Sequence, residues 1–231
     1  SAQHGTHVGS IIAGIIAGTT HGVAPDASLV FSDFGDNGTD MAADLDTAMR
    51  QLDASGMRSL IIDLRGNPGG LLSAAVDVSD LFIDRGLVVA TRGRSPEEDF
   101  NYTASHSGTW HMPLTLLIDG DSASSSEIFA GAIRDHRRGL VVGECSYGKG
   151  SVQGIFPLSA SPVGVRLTTA KFYSPNGQAI SGRGVTPDVL VQQVRKPPVA
   201  IGGLPKVVAD PVLDTAVKLL RKEVLAVVPQ R

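Results

Sequence analysis

The sequence predicts an α/β protein with an open sheet, because short apolar segments alternate with amphipathic helical patterns along most of the chain. Two apolar segments, at 60–64 and 114–118, are each followed by a turn of small residues and then by a helical pattern. After Lys149 the pattern becomes rich in strands. With 231 residues, 42% of them hydrophobic, the chain is long enough to bury one α/β core.

The first third of the chain predicts two helices separated by a strand. Five apolar residues recur at helical spacing and predict the first helix, namely Val8, Ile11, Ile12, Ile15 and Ile16. A short strand is predicted at 29–33, and then a helix that Thr39 or Asp40 caps and that ends near Gly56. The buried face of this helix is predicted to be Leu45, Ala48, Met49 and Leu52.

The middle third predicts a strand at 60–64, a glycine-rich turn at 66–70 and a second amphipathic helix. The inward residues of that helix are predicted to be Leu71, Leu72, Ala75, Leu81 and Phe82. A strand at 87–91 follows, and residues 93–112 lack periodicity. This segment carries Trp110, His106 and His111, and it is predicted to be a surface loop that could line a substrate cleft.

The remainder predicts a second strand–helix–strand unit and then a strand-rich end. The unit consists of a strand at 114–118, a helix at 125–136 and a strand at 139–143. Strands at 151–158 and 163–173, a turn at 174–177 and a closing amphipathic helix at 213–225 complete the chain.

Composition excludes several classes of partner and cofactor. The net charge of −3 and the lack of a basic stripe argue against nucleic acid, and the short basic cluster at 134–138 is predicted to be a surface feature. The most apolar run, residues 8–18, is too short and glycine-rich to cross a bilayer. Cys145 is the only cysteine and is predicted to be structural, and no Cys/His cluster has zinc spacing, so no metal or cofactor is expected.

A serine at a predicted helix start and a lysine between two glycines point to nucleophilic catalysis. Ser124 would lie where free backbone N–H groups favour negative charge, and the N–H of Ser125 could point at an oxyanion. A serine needs a base, and lysine serves as one only when burial lowers its pKa enough to leave it neutral. Gly148 and Gly150 give Lys149 the backbone freedom for such a position.

The residues alone leave other interpretations open at both places. The serines could merely cap a helix, and the lysine could lie in an ordinary turn. The turn Gly66-Asn67-Pro68-Gly69-Gly70 could donate to an oxyanion, cradle a phosphate or be a plain tight turn. It lacks the lysine and hydroxyl residue of a nucleotide-binding loop, so nucleotide binding is not expected.

Four segments resemble those of the C-terminal processing (tail-specific) serine proteases, in unbroken order over residues 28–225. They are LIIDLRGNPGGLL at 60–72, DSASSSEIFAGAIRDH at 121–136, VVGECSYGKGSVQ at 141–153 and TTAKFYSPNGQAISGRGVTPDV at 168–189. The resemblance implies a crotonase- or ClpP-like core, hydrolysis of protein substrates near their C-termini, and an exported location. It implies no cofactor.

Carried over residue by residue, the resemblance makes Ser124 the nucleophile and Lys149 the general base, which Gln153 orients. The oxyanion hole would be the N–H of Ser125 with that of Gly70, or alternatively Gly69. Asp135 matches an aspartate that is important in some members. On an unbroken helix, however, Asp135 lies about 16 Å along the axis from Ser124, so we expect it to be structural or a charge partner for Arg134, Arg137 or Arg138.

Residues 3–30 resemble the histidine segment of subtilisin-like proteases, in which His4 would be the catalytic base. That triad needs an aspartate upstream and a serine in a Gly-Thr-Ser-Met-type turn downstream, and neither occurs, since Asp33 lies on the wrong side of His4. We therefore expect residues 1–30 to be an inactive remnant and residues 31–231 to be the protease core. This remnant stands where tail-specific proteases carry a peptide-binding PDZ module.

Three hypotheses follow from these observations. The chain is a Ser/Lys endopeptidase, a non-catalytic ligand- or peptide-binding module on the same fold, or an inactive protease chimera. The sequence does not predict an oligomeric state.

Overall fold

The structure, a computed structural model, describes residues 11–16, 27–31, 41–105, 109–157, 164–193 and 209–227. The strands in this part of the chain are β1 (Ile11–Ile16), β2 (Ala27–Phe31), β3 (Met57–Asp63), β4 (Gly86–Gly93), β5 (Phe100–Ala104), β6 (Leu114–Ile118), β7 (Leu140–Gly143), β8 (Ser151–Pro157), β9 (Gly164–Tyr173) and β10 (Val189–Leu190). The helices are α1 (Met41–Ala54), α2 (Leu72–Asp80), α3 (Ser125–Asp135) and α4 (Pro211–Val227), with a 3₁₀ turn at Pro96–Glu98.

The strands form two sheets. The first has the order β10-β7-β6-β3-β1-β2, in which β3, β6, β7 and β10 are parallel and β1 pairs antiparallel with both of its neighbours. The second is antiparallel, with the order β5-β4-β9-β8. The α/β architecture expected from the alternating pattern is therefore confirmed, and so is the strand-rich C-terminal part.

Helices cover both faces of the parallel strands. On one face α1, α2 and α3 pack over a large apolar core that includes Leu60 and Ile62. On the other face α4 packs against Ile61 and its parallel neighbours, forming a separate cluster of Ile61, Leu117, Val142, Val212, Ala216 and Leu220. Every residue of β6 is buried, as is usual for a parallel strand covered on both sides. The carboxyl ends of these strands carry the turns that lead to the candidate site.

Most of the predicted elements appear close to their expected positions. The buried residues of α1 are Leu45, Ala48, Met49 and Leu52, as the helical spacing indicates, and β6 matches its predicted bounds. Helix α3 begins at Ser125, directly after Ser124. The capping residues proposed for α1, Thr39 and Asp40, lie outside the described residues.

The helix predicted around residues 8–18 is wrong, because residues 11–16 form strand β1. Four of its six residues are isoleucine, and β-branched residues fit a pleated surface better than a helix. Pairing with β3 on one side and β2 on the other supplies backbone hydrogen bonds that the helical spacing alone does not reveal. The apolar periodicity was therefore compatible with both structures, and tertiary pairing decided between them.

Two further expectations differ from the structure. Leu71 is 73% exposed rather than inward, because it precedes α2 in an extended conformation with φ −71° and ψ 140°. The segment 93–112 is not only a loop, since β5 pairs with β4 inside it and the indole N–H of Trp110 donates to Asp46 at 2.8 Å. Propensity missed β5 because its partner strand is supplied by the tertiary fold.

The basic cluster at 134–138 is also more than a surface feature. The guanidinium of Arg138 donates to the carbonyl oxygens of Phe82, Trp110 and Met112. Burial lowers the pKa of Arg138, although the nearby Asp84 carboxylate acts in the opposite direction. Arg138 thus ties the end of α3 to two neighbouring segments.

Candidate active site

Ser124 occupies a sharp turn between β6 and α3, and we call residues 119–124 the serine turn. Its backbone has φ 58° and ψ −118°, a combination that is costly for a residue with a Cβ. The turn is held on both sides, because the Ser124 N–H donates to the Glu127 Oε2 at 2.8 Å and the Ser124 carbonyl accepts from Ile128 at 3.1 Å. Strain held in this way presents the half-buried Ser124 side chain at the mouth of the turn, which suits a nucleophile.

The glycine turn at 66–70 lies directly against the Ser124 turn. Gly69 has φ +86°, and a Cβ there would stand 2.5 Å from the Ala123 carbonyl oxygen and 2.7 Å from the Ser125 nitrogen. The Ala123 N–H also donates to the Asn67 carbonyl at 2.9 Å. Only glycine allows so close an approach, so the contact fixes the two turns against each other.

The two candidate oxyanion donors in this turn differ in what they contact. The Gly69 N–H donates to the Asn67 side chain at 2.9 Å, within the turn itself. The Gly70 N–H instead points toward the serine turn, where it donates to the Ser125 hydroxyl at 2.5 Å. Gly70 is therefore the better placed of the two to meet a substrate carbonyl, once the Ser125 hydroxyl moves away.

Lys149 lies in the loop between β7 and β8, residues 144–150, which we call the lysine loop. Its side chain is exposed. The burial that a neutral lysine requires is thus not present in the free protein, contrary to expectation. The backbone of the loop is fixed, since Gly148 has φ +89° and a Cβ on Gly150 would stand 2.2 Å from the Ser181 nitrogen. The two glycines hold the loop against residues 180–184, and they do not bury the amine.

Glu127 joins the serine turn to the lysine loop, and sequence reasoning did not identify it. Its side chain is fully buried, and Oε2 accepts from the N–H groups of Ser124 and Lys149, each at 2.8 Å. Oε1 accepts from the Gly148 N–H at 2.6 Å and from the Ser146 hydroxyl at 2.5 Å. The available signal was the spacing Ser-x-x-Glu at a helix start, which is that of a capping box.

A buried carboxylate is tolerated only when it is well hydrogen-bonded, and these four donors meet that need. Because three of the donors come from the lysine loop and one from the serine turn, Glu127 sets the distance between the two backbones. Its contact with Lys149 is to the backbone N–H of that residue.

The remaining predicted residues lie farther out. Gln153 is an exposed residue of β8 at an irregularity in the pairing with β9. Asp135 lies in the last turn of α3, where it forms an ion pair with Arg134 at 2.9 Å and accepts from the Asn176 N–H at 3.0 Å. These contacts agree with the expected charge pairing, and they place Asp135 at the opposite end of α3 from Ser124.

An ion-pair network stands beneath the glycine turn. Arg65, just before the turn, is paired with Asp63 at 2.6 Å and with Asp210 at 2.9 Å. Burial alone would lower the pKa of Arg65, but hydrogen bonds and charge from both carboxylates raise it. Burial likewise works to raise the pKa of Asp210, but it is outweighed by the hydrogen bonds and charge of Arg65, and the pKa falls. The network links the end of β3 to the start of α4.

An apolar cleft opens beside the candidate oxyanion donors. It has a volume of about 580 Å³ including its open mouth. We call it the P1 cleft because the two candidate oxyanion donors, Gly70 and Ser125, line it. Gly70 and Ser125 form part of its wall, and Met41, Leu45 and Ala74 from α1 and α2 form much of the rest.

Two observations concern cofactors and membranes. In the described ranges, no three His, Cys, Asp or Glu side chains come together as a metal ligand set. No described helix is both long enough and apolar enough to span a membrane.

Comparison with known proteins identifies the family. Residues 27–191, well over half of the chain, match the profile of peptidase family S41. The chain therefore belongs to this family, and the resemblance to C-terminal processing proteases is confirmed.

Individual relatives agree with this assignment. The carboxy-terminal-processing protease of Bartonella bacilliformis is 43% identical over 156 residues, 67% of this chain and 36% of the relative. The carboxyl-terminal-processing protease of Synechocystis is 38% identical over 146 residues, 63% of this chain and 34% of the relative. The chain thus spans about a third of the length of these curated relatives.

Solved structures extend the likeness to the fold. The photosystem II D1 C-terminal processing protease superposes with a TM-score of 0.65 at 31% identity, covering 79% of this chain and 48% of that protein. Mature CPAF in complex with lactacystin superposes with a TM-score of 0.59 at 15% identity, covering 93% of this chain and 56% of that protein, which indicates the fold alone.

Proposed function

We propose that the chain carries the catalytic core of a serine endopeptidase in which Ser124 is the nucleophile and Lys149 the general base. The observation that carries the proposal is the buried Glu127 carboxylate, which binds the backbones of Ser124 and Lys149 on the same oxygen. A structural cap for α3 alone would need only the Ser124 contact. Family membership supports the same assignment.

In the proposed reaction, Lys149 takes the proton of the Ser124 hydroxyl as the oxygen attacks the peptide carbonyl. The N–H groups of Gly70 and Ser125 stabilise the oxyanion of the tetrahedral intermediate. Lys149 then gives its proton to the leaving amine, and an acyl-enzyme remains on Ser124. Water hydrolyses the acyl-enzyme with Lys149 again acting as base.

The exposure of Lys149 in the free protein assigns a second role to the substrate. A peptide lying across the P1 cleft and the lysine loop would exclude water from the amine, and desolvation favours its neutral form. Gln153, on β8 just after the lysine loop, would then orient the amine without adding charge. The base is thus completed by substrate binding.

The proposed substrates are proteins with an apolar residue before the scissile bond, since the P1 cleft is lined by aliphatic side chains. Cleavage near the C-terminus follows from the names of the relatives, which are called carboxyl-terminal-processing proteases. An exported location remains a proposal. Relatives from Tetradesmus obliquus and Arabidopsis thaliana are described as chloroplastic.

Covalent labelling tests the proposal. Incubation with a fluorophosphonate or sulfonyl fluoride, followed by peptide mapping, is expected to place the adduct on Ser124. The control is a Ser124→Ala variant, which should lose the adduct and the cleavage of an unstructured protein together. An adduct on Ser122, Ser125 or Ser126 would contradict the assignment. Peptide binding with no cleavage by the wild type would instead favour the binding-module hypothesis.

A further inference from the structure

A second apolar cavity lies between α2 and the antiparallel sheet, with a volume of about 490 Å³ including its open mouth. Its walls come from Val152 of β8, from Ala170 and Phe172 of β9, and from Leu72. Phe100 and Tyr102 line it as well, with their rings 6.5 Å apart, and Phe100 is 53% exposed. We call it the sheet cavity, and none of the catalytic residues proposed above lines it.

The linings of the sheet cavity and the P1 cleft are adjacent along the chain. Gly70 and Leu71 line the P1 cleft, and the next residue, Leu72, lines the sheet cavity. Since consecutive Cα atoms are about 3.8 Å apart, Gly70 and Leu72 lie within about 7.6 Å of each other. On the far side, Val152 is only three residues from Lys149. At Gly70–Leu72 the two linings are therefore close enough for one short peptide to contact both.

An extended peptide that contacts Gly70 can reach the lining of the sheet cavity at Leu72. Alternate side chains of a strand point to one face and are about 6.6 to 6.8 Å apart. Leu71, which is 73% exposed, lines the P1 cleft and directly precedes Leu72 of the sheet cavity, so a peptide crossing these residues can place alternate side chains in the two cavities.

The rim of the sheet cavity is fixed before any ligand binds. The Thr91 hydroxyl donates to the Glu98 carbonyl at 3.1 Å and accepts from the Phe100 N–H at 3.2 Å. The Glu98 carboxylate accepts from the Arg94 N–H at 2.9 Å. A formed rim lowers the ordering cost of binding, and the carboxylates of Glu97 and Glu98 along it disfavour an acidic ligand side chain.

We propose that the sheet cavity is a second substrate subsite. It binds an aliphatic or aromatic side chain two residues away from the side chain in the P1 cleft. The inference rests on the proposed function, because it takes the occupant of the P1 cleft to be a substrate peptide. It adds that selection among substrates depends on a second apolar residue.

Peptide binding to the Ser124→Ala variant, which does not cleave, tests the subsite separately from catalysis. The fluorescein-labelled decapeptides all carry Leu before the scissile bond. One pair carries Leu or Gly two residues toward the N-terminus from that Leu, and a second pair carries Leu or Gly two residues toward the C-terminus from it. Fluorescence anisotropy gives the dissociation constant of each peptide. Phe100→Ala removes part of the rim, and Ala170→Leu fills the cavity. Phe156→Ala is the matched control, because Phe156 is 47% exposed on the same sheet and lines neither cavity.

At one of the two positions, we expect Leu to bind at least about fivefold more tightly than Gly, in line with burial of an aliphatic side chain. Phe100→Ala should reduce that preference, and Phe156→Ala should leave it unchanged. A folded Ala170→Leu variant should abolish it.

Equal binding of the Leu and Gly peptides at both positions would overturn the inference, as would equal losses in Phe100→Ala and Phe156→Ala. If the wild type cleaves both peptides under those results, the subsite is wrong and the proposed function stands. If the preference holds but the wild type cleaves nothing, the subsite stands and the proposed function is wrong.

Discussion

At the residue scale, the Ser125 hydroxyl already accepts from the Gly70 N–H, the donor that the substrate carbonyl would use in the proposed reaction. The distance is 2.5 Å, and the Ser125 N–H belongs to the same proposed oxyanion hole. The side chain therefore has to rotate away before a carbonyl can bind. The cost is that of one hydrogen bond, which is partly regained when the substrate takes its place.

Replacing Ser125 by Ala should leave the Gly70 N–H free. We expect kcat/KM to rise by about twofold to tenfold, the equivalent of one hydrogen bond of 0.5 to 1.5 kcal/mol. Steady-state cleavage of a peptide measures the change. Ser126→Ala is the control, since Ser126 lines the same cleft without contacting Gly70. A tenfold or greater fall in Ser125→Ala would show that the hydroxyl itself assists the reaction.

Glu127 is expected to act as a positioning residue for both proposed catalytic groups. In Glu127→Gln, the side-chain amide would face backbone N–H groups that need an acceptor, so the serine turn and the lysine loop should separate. We expect kcat to fall at least about a hundredfold, a loss comparable with that of a general base. Fluorophosphonate labelling of Ser124 should slow together with kcat.

Glu127→Asp provides the discriminating variant, because it keeps the charge and shortens the side chain. Partial rescue by Asp, with a thermal midpoint close to that of the Gln variant, would assign the loss to positioning. Near wild-type turnover in Glu127→Gln would contradict the role.

Residue-level prediction succeeded where local spacing carried the information. Ser124 and Gly70 follow apolar strands at turns, and the structure brings these two turns into contact. Glu127 was missed because a glutamate three residues after Ser124 has the pattern of a helix cap. Its contacts with Gly148 and Lys149 join residues more than 20 positions apart in the sequence. The exposure of Lys149 could not be read from the sequence, since glycine neighbours permit either a buried or an open loop.

At the element scale, the position of α4 depends on one carboxylate. Asp210 caps the helix by accepting from the Leu213 N–H at 3.0 Å, and it also pairs with Arg65 at the end of β3. Helix α4 in turn covers one face of the parallel strands. Two distinct interactions of the same side chain therefore attach the helix to the sheet.

Two substitutions separate these interactions. Asp210→Asn keeps a capping oxygen and loses the charge, whereas Asp210→Ala loses both. We expect Asp210→Ala to lower the free energy of unfolding by about 1 to 2 kcal/mol, and Asp210→Asn by less than about 1 kcal/mol. Urea unfolding at neutral pH measures both values. Equal losses in the two variants would mean that the cap contributes nothing.

The same variants predict a pH dependence. The folded-state pKa of Asp210 is lowered, so its contribution to stability is fully present above its ordinary value of 3.8 and is lost as the pH falls through the lower folded value. The stability difference between wild type and Asp210→Asn should therefore shrink below that pH. A difference that stays constant down to strongly acidic pH would contradict the assignment.

Strand β1 shows what periodicity cannot decide at this scale. Isoleucines at positions 11, 12, 15 and 16 satisfy a helical stripe, and the same residues are good strand formers. The antiparallel partners β2 and β3 determined the outcome. The 14-residue helix α1 was predicted because its apolar stripe runs over several turns and fits no strand alternation.

At the scale of the whole molecule, two sheets and four described helices bring the serine turn, the glycine turn and the lysine loop together. The glycine turn follows β3 and the serine turn follows β6, which are adjacent parallel strands. The lysine loop follows β7, the next strand in the sheet. The order of the strands thus places three segments that are distant in sequence at one edge.

The interpretation of residues 1–30 as an inactive remnant stays a prediction. Residues 1–10 and 17–26, which include His4, lie outside the described residues, and the family match begins at residue 27. Strand β1 belongs to this segment and pairs with β3 of the core. Neither the boundary proposed at residue 30 nor the inactivity of His4 is tested by these observations.

The most direct test of the central claim is the turnover of an unstructured protein by Lys149→Arg. Arginine keeps the positive charge but cannot become neutral, so it cannot take the serine proton. We expect kcat to fall at least about a hundredfold, as in Ser124→Ala, while the thermal midpoint stays close to that of the wild type. Cleavage by Lys149→Arg at nearly the wild-type rate would contradict the Ser124–Lys149 mechanism.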